Sequence, residues 1–290
     1  GAASNAVLLV KKYRLGGIIL FGMNIGGADE LRTLCTAVQN AVPEGPGLFI
    51  STDQEGGGIT RISRGVSRFP GAITFGAADD PALTGEAAYI LARQMRFLGV
   101  NMNLTPVADI NNNPDNPVIN VRSFGSDPEK VAAQVSAYVA GLERGGCVSV
   151  AKHFPGHGDT SKDSHKTLPV VSHDLDHLRG FEFVPFRAAV RAGCSGIMSA
   201  HIAYPAITGD DLPATMQPRF MTDIIRDEFG FTGITTTDDM EMGAVAGRMQ
   251  SGEAAVRAFN AGVDIILLST TGTKVATVRD ALLAAVKNGR

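Results

Sequence analysis

The sequence predicts a single α/β domain over residues 1–290, a (β/α)8 barrel of the TIM type, on three observations. Short apolar, β-rich runs recur along the whole chain with amphipathic helical segments between them, the rhythm of a parallel sheet. The runs are continuous and do not alternate with polar residues, as strands covered on both faces must be. Asp53, Asp109, Lys152, His153, His201 and Asp238 stand at or just past the C-terminal ends of several of them. A barrel gathers such residues into one ring at its C-terminal mouth, whereas an open doubly wound sheet concentrates them at one switch point.

The runs are GGIILF (16–21), GLFIST (47–52), NMNLTP (101–106), VSVAKHF (148–154), GIMSAH (196–201), GITTTD (233–238) and DIILLS (264–269). Seven strands leave the barrel one short, and the missing first strand is expected to precede residue 1. The opening segment GAASNAVLLVKKYRLGG reads as a helix feeding a strand. A missing strand bares its neighbours' edges unless something replaces it. The plainest helix is SDPEKVAAQVSAYVAGLERGG (126–146). Ser126 with Glu129 makes a capping box there and Pro128 suits the first turn. Val131, Val135, Tyr138 and Leu142 line one face, and Gly145 ends the helix. Residues 251–262 and 275–289 read the same way, and no linker, repeat or composition shift marks a second domain.

Hydrophobic content of 44% with 19% charged residues describes an ordinary core-forming chain. A net charge of −3 gives no pull toward nucleic acid or an anionic membrane. No run approaches the roughly 18 apolar residues of a membrane span. Cys35, Cys147 and Cys194 sit in or beside apolar runs, so buried free thiols are expected and a disulfide framework is not. The oligomeric state stays open. A cytoplasmic location is favoured, and a secreted or cell-surface one requires that an N-terminal signal has been removed.

AKHFPGHGDTSKDSHKTLP (151–169) holds three of the six histidines. His153 and His157 are spaced as in HExxH, but Pro155 and Gly156 forbid the helix which that motif needs. A loop zinc site using His165 and an aspartate is the weaker alternative, and the glycine–lysine signature of a phosphate loop is missing. Proton handling fits better. Asp163 and His165 are two apart, which in an extended loop points both side chains the same way. The carboxylate then fixes the imidazole tautomer and raises its basicity; a surface Asp-x-His pair of no consequence is the competing view. Gly156 and Gly158 suggest a loop that turns sharply and moves.

In TTTDDMEMG (235–243), two adjacent carboxylates at a strand end either bind a cation or divide their duties; the division is preferred, with Asp238 facing the mouth and Asp239 belonging to the next helix start. DQEGGGITR (53–61) offers Asp53 and Arg61, or simply a Gly-rich turn behind a capping aspartate. INVRSFGSDP (119–128) offers Arg122, whose guanidinium forks onto a hydroxyl pair or a carboxylate. His201 in MSAHIAYP reads equally well as a buried, satisfied histidine.

KHFPGHGDTSKDSHKTLP, together with DQEGG…R, NVRSFG, SAHIAYP and TTDDMEMGA, resembles the family 3 glycoside hydrolases, specifically their bacterial β-N-acetylglucosaminidase (β-hexosaminidase) branch. The likeness runs in collinear order over nearly the whole chain. It implies a (β/α)8 barrel that removes terminal β-linked N-acetylglucosamine with retention, from cell-wall muropeptides or chitin-like sugars, without metal or cofactor. Asp238 matches the nucleophile, His165 the general acid/base and Asp163 its partner. Asp53, Arg61, Arg122, Lys152 and His153 match positions that hold the sugar, and His201 and Asp109 are left as open additions. Relatives commonly carry arginine where Gly58 stands. The expected chemistry is attack by Asp238 on the anomeric carbon while His165 protonates the departing oxygen, then hydrolysis of the glycosyl-aspartate with His165 as base. An N-acetylglucosamine phosphorylase is the enzymatic alternative, because a neutral base does not repel an anionic acceptor. A non-catalytic sugar-binding barrel and a metal-dependent amidohydrolase barrel are the readings from other classes, and a family 3 β-glucosidase would lack the Asp163–His165 loop.

Overall fold

The computed structural model describes residues 2–42, 45–269 and 272–290. Helix α1 (Ala2–Tyr13) leads into β1 (Gly17–Leu20), α2 (Ala28–Gln39) and β2 (Phe49–Thr52). A small hairpin, β3 (Gln54–Gly56) with β4 (Ile59–Thr60), is followed by α3 (Ala72–Ala78), α4 (Pro81–Phe97) and β5 (Met102–Asn103). Then come α5 (Pro128–Arg144), β6 (Val148–Phe154), α6 (Leu175–Gly180), α7 (Phe183–Arg191), β7 (Gly196–Ser199) and α8 (Pro205–Thr208). A π-type helix (Arg219–Glu228), β8 (Ile234–Thr237), α9 (Gly243–Ala246), α10 (Ser251–Ala261) and α11 (Thr273–Lys287) complete the order.

Six strands pair in parallel in the order β1-β2-β5-β6-β7-β8. The continuous apolar runs have their reason here. Ile50, Ala151 and Ile197 face the helices, while their neighbours Phe49, Val150 and Met198 point to the other side of the sheet. That inner cluster also takes Ile19 from β1 and Leu267 from the segment after β8, so the sheet curls until its two ends share one interior. Outside, α1 packs against both α2 and α11. Phe154, at the end of β6, anchors the outer layer by stacking on Phe183 at 5.4 Å and meeting Phe186 edge-on at 5.3 Å.

Local expectations needed correction where a side chain does a backbone's work. Within 101–106 only Met102 and Asn103 are strand, because the Asn103 side chain exchanges hydrogen bonds with the Gln54 backbone. The run 264–269 makes one bridge, Ile265 to Thr236, since Leu267 N–H donates to the Thr237 hydroxyl in place of a carbonyl. Asp127, not Ser126, caps α5: its Oδ1 accepts from the Glu129 and Lys130 amides, both at 3.0 Å, so the capping box does not form. DQEGGGITR folds as the β3–β4 hairpin and is more than a turn. The three cysteines are free and buried, and burial pushes the Cys35 thiol up to about 11 and those of Cys147 and Cys194 to about 12. Among the described residues no helix is long and apolar enough to cross a membrane.

Candidate active site

The strand ends converge on a cleft of about 280 Å³ at the C-terminal mouth, bordered by Asp53, Glu55, Arg61, Arg122, Lys152, His153, His157, His165, Asp238 and Asp239. Its apolar floor is the barrel interior itself: Ile19, Leu104, Met198 and Leu267. The size suits one monosaccharide-like ligand. A wider depression of about 570 Å³ along α2 is open to solvent and lined by surface side chains such as Asp29, Arg32 and Thr33.

On one side the cleft is a charge network. Lys152, from β6, puts its ammonium 2.6 Å from Asp53 Oδ1 and 2.8 Å from Glu55 Oε1. Arg122 forks onto Glu55 through Nε (2.9 Å) and a terminal nitrogen (2.8 Å). Burial alone pushes Glu55 up, but Lys152 and Arg122 hold its carboxyl far below the usual range. Burial likewise pushes Lys152 down, and Asp53 with Glu55 reverses this, so it stays charged. The guanidinium of Arg122 also lies 3.4 Å from His153 Nε2, whose Nδ1 meets Asp109 Oδ2 at 2.6 Å. Arg61 returns to the mouth on β4's trailing end, and its buried Nε has no hydrogen-bond partner among the described residues.

Asp238 follows β8 directly. Its amide donates to the Ser199 carbonyl at 3.1 Å, and its Oδ1 accepts the Asp239 N–H at 2.7 Å. Burial pushes the carboxyl up, but His153, His201, the Asp239 amide and Lys152 outweigh it, leaving Asp238 ionised below the ordinary range. An ionised, hydrogen-bonded carboxylate at the floor of a sugar-sized cleft is what nucleophilic attack on carbon requires. Asp239 starts no helix, contrary to expectation. Its Oδ1 accepts from the Glu241 and Ser269 amides, which pins the segment after β8.

Across the cleft, Asp163 Oδ1 accepts both the His165 amide (2.9 Å) and its ring Nδ1–H (2.8 Å). The pairing comes from an Asx turn rather than an extended loop, with the Lys166 and Thr167 amides on the Asp163 carbonyl. With Nδ1–H committed to the carboxylate, Nε2 is the nitrogen left to exchange a proton. Two backbone bonds tie this turn to the loop that follows Asp238: Gly243 N–H donates to His165 O (2.9 Å) and Ala244 N–H to Ser164 O (3.2 Å). The turn is also held from beneath by His157, whose Nε2 lies 2.9 Å from the Ser164 hydroxyl. Gly158 is there for close approach, since a Cβ would fall 1.6 Å from the Ile110 carbonyl oxygen.

Asp109 and His201 lie behind the cleft and do not border it. Asp109 is wholly buried and accepts from the His153 and His157 amides as well as the His153 ring. His201 is buried between the Thr215 hydroxyl and the Asp239 carbonyl, the satisfied-histidine reading. Both position other groups. Sequence reasoning missed Glu55, His157, Ser164 and Gly243. The signal for Glu55 was its place two residues beyond Asp53, on the same face of an extended segment.

Known proteins resemble this chain over nearly its whole length. The profile of the Glycosyl hydrolase family 3 N terminal domain matches residues 2–290. The chain belongs to that family. It is 38% identical to Beta-hexosaminidase A from Pseudoalteromonas piscicida over 278 residues, covering 90% of this chain and 46% of that protein. A Beta-hexosaminidase from Stenotrophomonas maltophilia is 36% identical over 263 residues, covering 88% and 76%. The structure of a family 3 beta-N-acetylglucosaminidase from Paenibacillus sp. superposes with a TM-score of 0.97 at 42% identity, covering all of this chain and 55% of that one. The family 3 domain described here thus spans about half the length of two of these three relatives. The comparison bears out the barrel reading.

Proposed function

We propose that this domain is a retaining exo-β-N-acetylglucosaminidase acting on terminal β-linked N-acetylglucosamine of cell-wall or chitin-like oligosaccharides. Asp238 is the nucleophile, His165 the acid and then the base, and Asp163 its orienting partner. Asp53, Lys152, Arg122, Arg61 and His153 grip the ring hydroxyls. One observation carries the reading: the ionised Asp238 and His165, which is paired with Asp163, border one cleft, and their loops are hydrogen-bonded to each other. His165 protonates the leaving oxygen while Asp238 forms the ester to the anomeric carbon; neutral His165 then takes a proton from water, whose oxygen displaces Asp238 and restores the β anomer. The relatives' names, beta-hexosaminidase and beta-N-acetylglucosaminidase, support the sugar assignment.

Paired aryl N-acetyl-β-glucosaminide and aryl β-glucoside substrates test this. Turnover of the first with little of the second is expected, and a preference for the glucoside overturns the sugar assignment. His165→Ala should slow poor leaving groups by about 10²–10⁴-fold and activated ones far less; equal losses on both remove its role as acid.

A further inference from the structure

Outside the cleft, the segment after the dyad carries a second cluster that the proposed reaction does not use. His173 lies just before α6 and His177 in its first turn. Asp174 caps that helix through the His177 amide at 2.8 Å, and the bend stacks the two imidazoles 3.8 Å apart at 17°. Glu182 rises beneath them from the α6–α7 junction. Its Oε2 is 3.4 Å from His177 Nε2, yet the residue is only 5% exposed and that oxygen has no hydrogen-bond partner among the described residues. A carboxylate oxygen buried without a donor is costly to leave so. One ligand atom from each of His173, His177 and Glu182 lies within 4.8 Å of the others.

We propose that His173, His177 and Glu182 form a binding site for a divalent transition cation of the zinc type, with Asp159 as the outer carboxylate that orients His173. Two imidazoles and a carboxylate suit zinc or cobalt, whereas calcium and magnesium call for mostly oxygen donors. Tetrahedral bonds of 2.0–2.1 Å place ligand atoms about 3.4 Å apart, so closure takes shifts on the order of an ångström and a turn of the His177 ring out of its stack on His173, which brings its in-plane lone pair onto the ion. The His177 side chain is 40% exposed, which leaves it free to turn and gives the ion a way in. Asp159 Oδ2 lies 2.5 Å from His173 Nε2, the second carboxylate–histidine contact such sites use. Asp159 belongs to the stretch between His157 and the Asp163–His165 turn. The ion therefore clamps the root of the dyad loop to α6 and takes no part in the bond cleavage.

Cobalt(II) titration of the chelator-stripped chain, followed by its visible d–d absorption, tests the site without any activity assay. One equivalent should bind with a tetrahedral spectrum and be displaced by zinc. His177→Ala, at a half-exposed position the fold does not need, should weaken binding by at least a hundredfold. Asp159→Asn should weaken it about 10–100-fold. His165→Ala should leave the spectrum unchanged. A wild-type chain that shows no saturable binding below millimolar cobalt overturns the proposal. So does a spectrum that survives His177→Ala, or one that disappears in His165→Ala and so belongs to the dyad.

Discussion

The two sides of the cleft use the same residue types to opposite ends. On the network side, Lys152 and Glu55 side chains are 3% and 6% exposed, and each charge has partners that fix its position and its ionisation. On the dyad side, His165 is 62% exposed with Asp163 as its one carboxylate. A buried, multiply paired group cannot change charge without large loss, which suits a nucleophile and a sugar grip that must stay as they are. A group proposed to donate and then accept a proton within one cycle must reach both the leaving oxygen and water, which suits an exposed imidazole on a short turn. Under the proposed function the division is one of duty: the network side would hold fixed charge and the turn would move a proton.

The largest break in that pattern comes at the floor. Asp238→Asn removes the nucleophile with almost no change in shape, and kcat is expected to fall by about 10⁴-fold or more with the fold intact by circular dichroism. A fall of less than a hundredfold on an activated substrate would remove Asp238 from the chemistry. Next comes stability. Glu55→Gln strips Arg122 of its forked partner and Lys152 of one of two, inside a buried network, and should lower unfolding free energy by about 3 kcal/mol or more. Asp163→Asn, the matching change on the exposed side, should stay within about 0.5 kcal/mol. Urea midpoints of the two variants compare them directly, and equal shifts would erase the contrast between the sides.

The placement of the network side was mostly legible in the sequence because each polar residue there closes or follows an apolar run. Asp53, Lys152, His153 and Asp238 are placed by strands, and strands leave a clear pattern. Glu55 was legible only as a residue on the same face as Asp53, since its pairing with Arg122 spans 67 residues of chain. The dyad was legible as a spacing but for the wrong reason: an Asx turn and not an extended strand brings Asp163 to His165. The last barrel segment shows the same limit. DIILLS has a strand's composition, yet the Thr237 hydroxyl and the Asp239 carboxylate take the Leu267 and Ser269 amides that a ladder would have used. Side-chain substitution for backbone bonding depends on partners that local patterns do not contain.

A smaller effect concerns the buried imidazole under the turn. Burial pushes His157 down to about 4, against an ordinary value of 6.5. Above pH 6.5 the ring is neutral in both folded and unfolded chains. Between 6.5 and 4 the unfolded chain takes up a proton that the folded one refuses, so stability is lost as pH falls through that window, by about 3 kcal/mol in all. His201, also held down by burial, adds to the same slope. Chemical unfolding at pH 7, 5.5 and 4.5 should show the decline in the wild type and a shallower one in His157→Gln. Identical slopes in the two chains would show that the imidazole is not kept neutral by the fold.

The smallest change tests how tightly the two sides are coupled. At Gly243 a Cβ would lie 2.5 Å from the Lys166 carbonyl oxygen and 2.8 Å from that of His165, so the nucleophile's loop and the dyad turn touch backbone to backbone. Gly243→Ala must push the turn outward. Because the turn is exposed it yields without unfolding, and the expected stability change is under about 1 kcal/mol. The imidazole shifts with it, and displacement of a proton donor by about an ångström costs up to 10²-fold in rate. That loss should fall on kcat for poor leaving groups, which need the proton, and hardly on KM or on activated aryl substrates, which do not. Gly27→Ala, where a Cβ meets nothing within 4 Å, should leave both unchanged. If Gly243→Ala slows good and poor leaving groups alike, the contact serves the floor and not the acid, and the two sides of the cleft are one rigid unit after all.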